Sequence, residues 1–123
     1  MAAISVILLC GFAANGSWLQ HVPASDRARE NPFFGRPGSV LAGHKLFVEH
    51  CAACHGIHAE GHGKKPCLRS TRVHNATDGE LEWLLENGEL AKGMPSWSKL
   101  PDQQRWQLVT YLKNMDVGCV PLR

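Results

Sequence analysis

The five residues Cys51-Ala52-Ala53-Cys54-His55 constrain this chain more than any other stretch of it. Two thiols one helical turn apart can each add to a vinyl group on neighbouring pyrroles of a haem, while the adjacent imidazole reaches the iron. This C-x-x-C-H spacing is the attachment pattern of c-type haem, and it uses all three side chains. A thioredoxin-like dithiol uses only the two cysteines and wants a preceding strand in a βαβ context, which the surrounding sequence lacks. Zinc is the other rival. His58 and His62 follow at helical spacing and could join Cys51 and Cys54 as ligands, but Gly56, Gly61 and Gly63 interrupt that segment.

The rest of the chain reads as short helices. Ser39 is a good N-cap for a helix running to about Cys54, with Val40, Gly43, Phe47 and Cys51 forming one stripe. A glycine inside a helix costs about 1 kcal/mol relative to alanine, so Gly43 needs a compensating close approach. Thr77-Asp78-Gly79-Glu80 has the spacing of a capping box and precedes Leu81, Leu84 and Leu85, with a stop at Asn87-Gly88. A last helix starts near Pro101-Asp102 and runs to about Asn114. Trp106, Leu108, Val109, Tyr111, Leu112 and Met115 cover most of its circumference, which predicts burial. No strand pattern of useful length appears, and the stretch from Gly56 to Asn75 reads as a long connection. The expected fold is all-α, with three or four short helices separated by long loops. A domain of this size buries only about two-thirds of its unfolded surface, so something must fill the middle.

Composition narrows the function classes. All 13 basic and 11 acidic side chains fall between Asp26 and Arg123, giving a net charge of +2, too little to argue for nucleic acid. A hydrophobic content of 44% excludes a disordered chain. No apolar run reaches the roughly 20 residues of a membrane-spanning helix. Residues 1–16 read as a signal peptide or short anchor, because Ala2 to Ala14 are almost wholly apolar and small residues follow. No Lys or Arg precedes that run, and Leu9 before Cys10 is too bulky for lipoprotein processing. Residues 17–38, interrupted by Pro23, Pro32 and Pro37, read as an extended arm, with Phe33 and Phe34 as staples; residues 39–123 form the domain proper.

Five stretches in order, Gly43-His44-Lys45-Leu46-Phe47, Cys51 to Gly56, Pro66-Cys67-Leu68, Gly93-Met94-Pro95-Ser96-Trp97 and Trp106 to Leu112, resemble the bacterial monohaem class I cytochromes c over residues 39–115. The resemblance implies one haem c bound through Cys51 and Cys54, with His55 as proximal and Met94 as distal iron ligand. It makes Pro66 the residue whose carbonyl accepts a hydrogen bond from His55, and it brings Gly43 and Phe47 across the last helix at Tyr111. Within the sequence, Met94 stands apart from an ordinary core methionine because it lies in a Gly-Met-Pro loop between helices. His44, His50, His58, His62 and His74 are its rivals as sixth ligand.

Two features depart from the family pattern. The segment from Gly56 to Lys65 lacks the usual glycine-proline step. Cys67 and Cys119 are left over, and an even remainder in an exported protein suggests a disulfide, with two buried thiols as the alternative. Iron with His55 and Met94 as axial ligands has no open position, so the expected role is one-electron transfer and not catalysis. The expected partners are periplasmic redox proteins: a dehydrogenase, an oxidase or a reductase. A resident cytochrome subunit of a quinoprotein-like dehydrogenase is the alternative, and a haem-based catalyst or sensor a third. Lys64, Lys65, Arg69 and Arg72 oppose five acids between Asp78 and Glu89; the pattern reads either as two solvated faces or as a dipole that steers a partner.

Overall fold

The computed structural model describes residues 18–119. The apolar N-terminal stretch, Cys10 included, lies outside the described residues. Among those described there are six α-helices and no strand: α1 (Ala24–Arg27), α2 (Pro37–His50), α3 (Ala52–His55), α4 (Thr71–Asn75), α5 (Asp78–Asn87) and α6 (Asp102–Asn114), with short 3-10 turns at Trp18–His21 and Leu90–Lys92. The fold is all-α, as expected.

Helix α2 begins two residues before Ser39. Arg36 is its N-cap and Pro37 occupies the first turn, where the missing N–H would have had no partner anyway. Ser39 is buried inside the helix instead of capping it. The helix stops at His50, and Cys51, its φ stretched to −116° while its N–H still donates to the Phe47 carbonyl, stands between it and α3. The turn carrying Cys54 and His55 is therefore a separate element and not the end of one long helix. Helix α4 interrupts the expected connection, with the Ser70 hydroxyl accepting from the Val73 N–H; five residues are too few to show a period. The capping box of α5 is present, with Thr77 Oγ1 accepting from the Glu80 N–H and Glu80 Oε1 from the Thr77 N–H.

Helices α2 and α6 make the most extensive contact between elements. They cross at Gly43, where a Cβ would lie 2.0 Å from the Gln107 carbonyl oxygen and 2.7 Å from Tyr111 Cβ. One turn on, Phe47 is fully buried and its ring centroid lies 5.3 Å from that of Tyr111. The crossing supplies the compensation that Gly43 required. Leu81, Leu85, Trp106, Leu108, Val109 and Leu112 complete the core.

The segment before α2 is neither extended nor detached. Pro23 caps α1 and Pro37 opens α2, so two of the three prolines mark helix starts, and Pro32 begins a turn. The segment lies on α5 so closely that a Cβ on Gly79 would meet the Asp26 carbonyl oxygen at 2.0 Å. Polar contacts fix it there. Arg29 Nη1 donates to Glu82 Oε2 at 2.8 Å, Thr77 Oγ1 donates to the Arg27 carbonyl, and Asn31 Nδ2 donates to Asp78 Oδ2 and Thr110 Oγ1. Of the two expected staples, Phe33 packs against the core and Phe34 is exposed. Cys67 and Cys119 form a disulfide, with Cα atoms 5.9 Å apart and a sequence separation of 52. In the chain-entropy account such a loop contributes about 4 kcal/mol.

Candidate functional site

Helices α2, α3, α5 and α6 and the loop around Met94 surround one cavity of about 310 Å³, lined chiefly by apolar atoms. Cys51, Cys54, His55, Pro66 and Met94 all contribute to its wall, so the structure brings together every site residue that the sequence nominated. Cys51 and Cys54 are the free cysteines among the described residues.

His55 is oriented by its neighbour across the loop. Its Nδ1 lies 3.0 Å from the Pro66 carbonyl oxygen. A carbonyl only accepts, so Nδ1 carries the proton and donates, leaving the lone pair of Nε2 for a metal. Met94 is held by backbone pairing. Its N–H donates to the Glu89 carbonyl and its carbonyl accepts from the Glu89 N–H, at 3.1 and 3.0 Å. The Trp97 N–H and the Ser96 hydroxyl donate to the carbonyls of Leu85 and Glu86. Carbonyls of the last turn of a helix have no partner within it, and here they pin the Met94 loop to the end of α5.

The rival chemistries lose ground at the same residues. Burial, with a smaller contribution from Cys54, pushes the Cys51 thiol up to about 11. A reactive dithiol needs the opposite shift. No group of three His, Cys, Asp or Glu among the described residues could hold a metal ion, and neither His58 nor His62 lines the cavity. Of the five histidines considered as rivals to Met94, only His50 reaches the cavity wall, its ring 5.0 Å from that of Trp97. His44 lies against Tyr111, and the carbonyl of His74 accepts from Lys113.

The acidic run is not a solvated pole. Glu82 is fully buried between Arg29 and Arg105, whose Nε lies 2.6 Å from Glu82 Oε1. Glu80 is spent in the capping box and beside Arg27, Asp78 accepts from Asn31, and Glu89 lies 3.5 Å from Lys92. Burial works against the charge on Arg105, yet Glu82, Asp102 and Glu86 more than offset it and hold its pKa above the ordinary guanidinium value. In the basic run, Lys64, Lys65 and Arg72 line the cavity, together with Lys92 from the Met94 loop. The charge pattern is thus a cationic cavity wall beside internal ion pairs, and not two opposed faces. Sequence reasoning missed two residues here, Trp18, which lines the cavity, and Glu82, and weighed His50 only as a rival ligand and not as part of the wall. Burial of the helix face bearing Glu82 was the one available signal, and its charge masked it.

Comparison with known proteins decides the family. The family described as "Cytochrome C oxidase, cbb3-type, subunit III" matches residues 38–112. The chain belongs to this cytochrome c family. A protein of Azospirillum sp. (strain B510) described as "Cbb3-type cytochrome c oxidase subunit CcoP" is 32% identical to the cytochrome c domain over 90 residues. The alignment takes in 66% of this chain and 30% of that protein, so the chain spans less than a third of its relative. The crystal structure of cytochrome CL from the marine methylotrophic bacterium Methylophaga aminisulfidivorans MPT matches with a TM-score of 0.61 at 26% identity, over 71% of this chain and 59% of that one. A cytochrome c domain carries covalently bound haem c and transfers electrons. The residues around the cavity fit that group: two free thiols, an imidazole with its metal-facing nitrogen left free, a thioether and apolar walls.

Proposed function

We propose that this cytochrome c domain passes single electrons between redox proteins outside the cytoplasm, using one haem c held by Cys51 and Cys54 with His55 and Met94 as axial ligands, and that it carries out no substrate chemistry. The observation that supports this most is the convergence of Cys51, Cys54, Met94 and a Pro66-oriented His55 on one apolar cavity. When bound, haem supplies a one-electron couple at its iron. The chain's own residues set the conditions. Pro66 fixes the tautomer and ring plane of His55 and raises its basicity as a ligand. The Met94 thioether favours a higher reduction potential than a second histidine would. Phe47, Leu108 and Leu112 keep water from the interior wall. With His55 and Met94 both holding the iron, no position would be left for oxygen or a substrate.

The test is Met94→Ala. The haem is expected to stay attached, with its iron turned high-spin or water-ligated and its potential lowered. An unchanged spectrum and potential would refute the ligand assignment, and the same change appearing in His50→Ala instead would transfer the role to His50.

A second reading, a resident subunit of a larger redox enzyme, is favoured by the Azospirillum relative, which is described as an oxidase subunit. No helix among the described residues is long and apolar enough to cross a membrane. Purification of the tagged full chain from detergent-solubilised cells separates the two: a stoichiometric large partner supports the subunit, and a lone cytochrome supports the carrier.

A further inference from the structure

We propose that the Cys67–Cys119 disulfide is a positioning device for His55, holding the carbonyl of Pro66 where it meets the imidazole. The inference rests on the reading of His55 as an iron ligand. Pro66 is the weak point in the support of that ring. It is exposed, it has no N–H with which to anchor itself, and none of residues 60–70 is buried. The backbone bonds of this segment are few: Gly61 N–H to the His55 carbonyl at 2.7 Å, a two-way pairing of His62 with Lys65, and Leu68 N–H to the Ala59 carbonyl at 2.8 Å.

The next residue after Pro66 is the cross-linked one. Beyond the sulfurs, the Gly118 N–H donates to the Arg69 carbonyl at 2.9 Å, and Arg69 Nε donates to the Asp116 carbonyl at 3.2 Å. These bonds carry the load from the loop to the tail that follows α6, where Met115 packs on the core. Helix α6 in turn is locked to α2 at Gly43, and α2 leads directly into Cys51 and His55. His55, α2, α6, the tail, the disulfide and Pro66 therefore form a closed ring whose last link is the His55–Pro66 hydrogen bond. Cutting the cross-link leaves the ring closed beside that bond by the two Arg69 hydrogen bonds alone, and leaves most of the core untouched. A cross-link that acted only by restricting the unfolded chain would not distinguish His55 from any other residue.

The experiment uses the haem-loaded protein in its ferrous form, with attachment first checked by pyridine haemochrome. A chain without attached haem would sink the functional reading and not this one. Solvent exchange of the His55 Nδ1 proton is followed by NMR in the native protein, in Cys67→Ala/Cys119→Ala, and in native protein whose disulfide has been reduced after folding by a water-soluble phosphine. Asn31→Ala, which loosens the opposite side, serves as a control of lowered stability. Exchange is expected to quicken by about tenfold or more when the disulfide is lost, a part of the roughly thousandfold that the whole cross-link contributes by chain entropy, and to stay near native in the control. A lower unfolding temperature with unaltered His55 exchange would overturn the proposal, as would equal quickening in the control.

Discussion

Two glycines mark two close helix contacts in this protein, and they are closed by different chemistry. At Gly43, α2 meets α6 with Phe47, Tyr111, Leu108 and Leu112 around the crossing, an apolar contact that lies within the span matched by the family. At Gly79, α5 meets the α1 segment, which lies outside that span, and the seal is polar: Arg29, Glu82, Arg105, Asn31, Asp78 and Thr77. The first joint frames the turn that carries Cys51, Cys54 and His55. The second closes the other side and brings Trp18 to the cavity wall. Apolar packing is tolerant of detail, whereas a buried ion cluster is costly unless each member keeps its partner. The two joints should therefore fail differently.

The largest expected effect belongs to the polar joint. Glu82→Ala leaves Arg105, 3% exposed, with only the more exposed carboxylates of Asp102 and Glu86 beside it, and removing the buried partner of such a pair costs up to about 3–5 kcal/mol. Denaturant unfolding of the haem-loaded protein reads this directly. Replacing both partners, Glu82→Leu with Arg105→Leu, is expected to recover most of the loss, because two apolar side chains leave no stranded charge. A single-variant loss below about 1 kcal/mol would mean that the cluster behaves like a surface ion pair.

Next comes the pair of glycines. Gly43→Ala drives a methyl group into the backbone of α6, which is fixed along its whole length, and overpacking of that kind costs about 3 kcal/mol. Gly79→Ala meets the backbone of a four-residue helix that can shift outward, so about 1–2 kcal/mol is expected there. The locations of the damage should also differ. Gly43→Ala should broaden the resonances of Tyr111 and His55, and Gly79→Ala those of Trp18 and Asn31. Equal losses would show that the α1 segment is as rigid a part of the fold as α6.

The same contrast explains what could be read in advance. Phe47, Leu108, Val109 and Leu112 recur at helical spacing, and the C-x-x-C-H run, the capping box and the Gly-Met-Pro loop are local patterns, so the α2–α6 frame and the site residues were legible. The α1 segment was not, because its hold depends on pairs such as Arg29 with Glu82 that lie 53 positions apart and follow no period. Charge on Glu80 and Glu82 read as solvated surface when both are buried. Cys67 and Cys119 could be counted, but their proximity is a property of the fold. The break at Cys51 was hidden because helical spacing continues through it.

The smallest expected effect tests whether the polar joint is one cooperative unit. Asn31 is buried, donates to Asp78 and Thr110, and accepts from the Phe33 N–H at 2.9 Å. Asn31→Ala removes all three bonds, yet Asp78 is partly exposed and takes water in exchange, and Thr110 keeps its bond to the Trp106 carbonyl. The cost should be about 1 kcal/mol, and the Phe33 amide should lose its protection from solvent exchange. Neighbours within one network depart from additivity, whereas distant sites do not. Asn31→Ala combined with Glu82→Ala should therefore cost less than the sum of the two, and combined with Gly43→Ala it should cost the sum. Additivity in the first combination would divide the joint into independent contacts, and coupling in the second would join it to the apolar crossing.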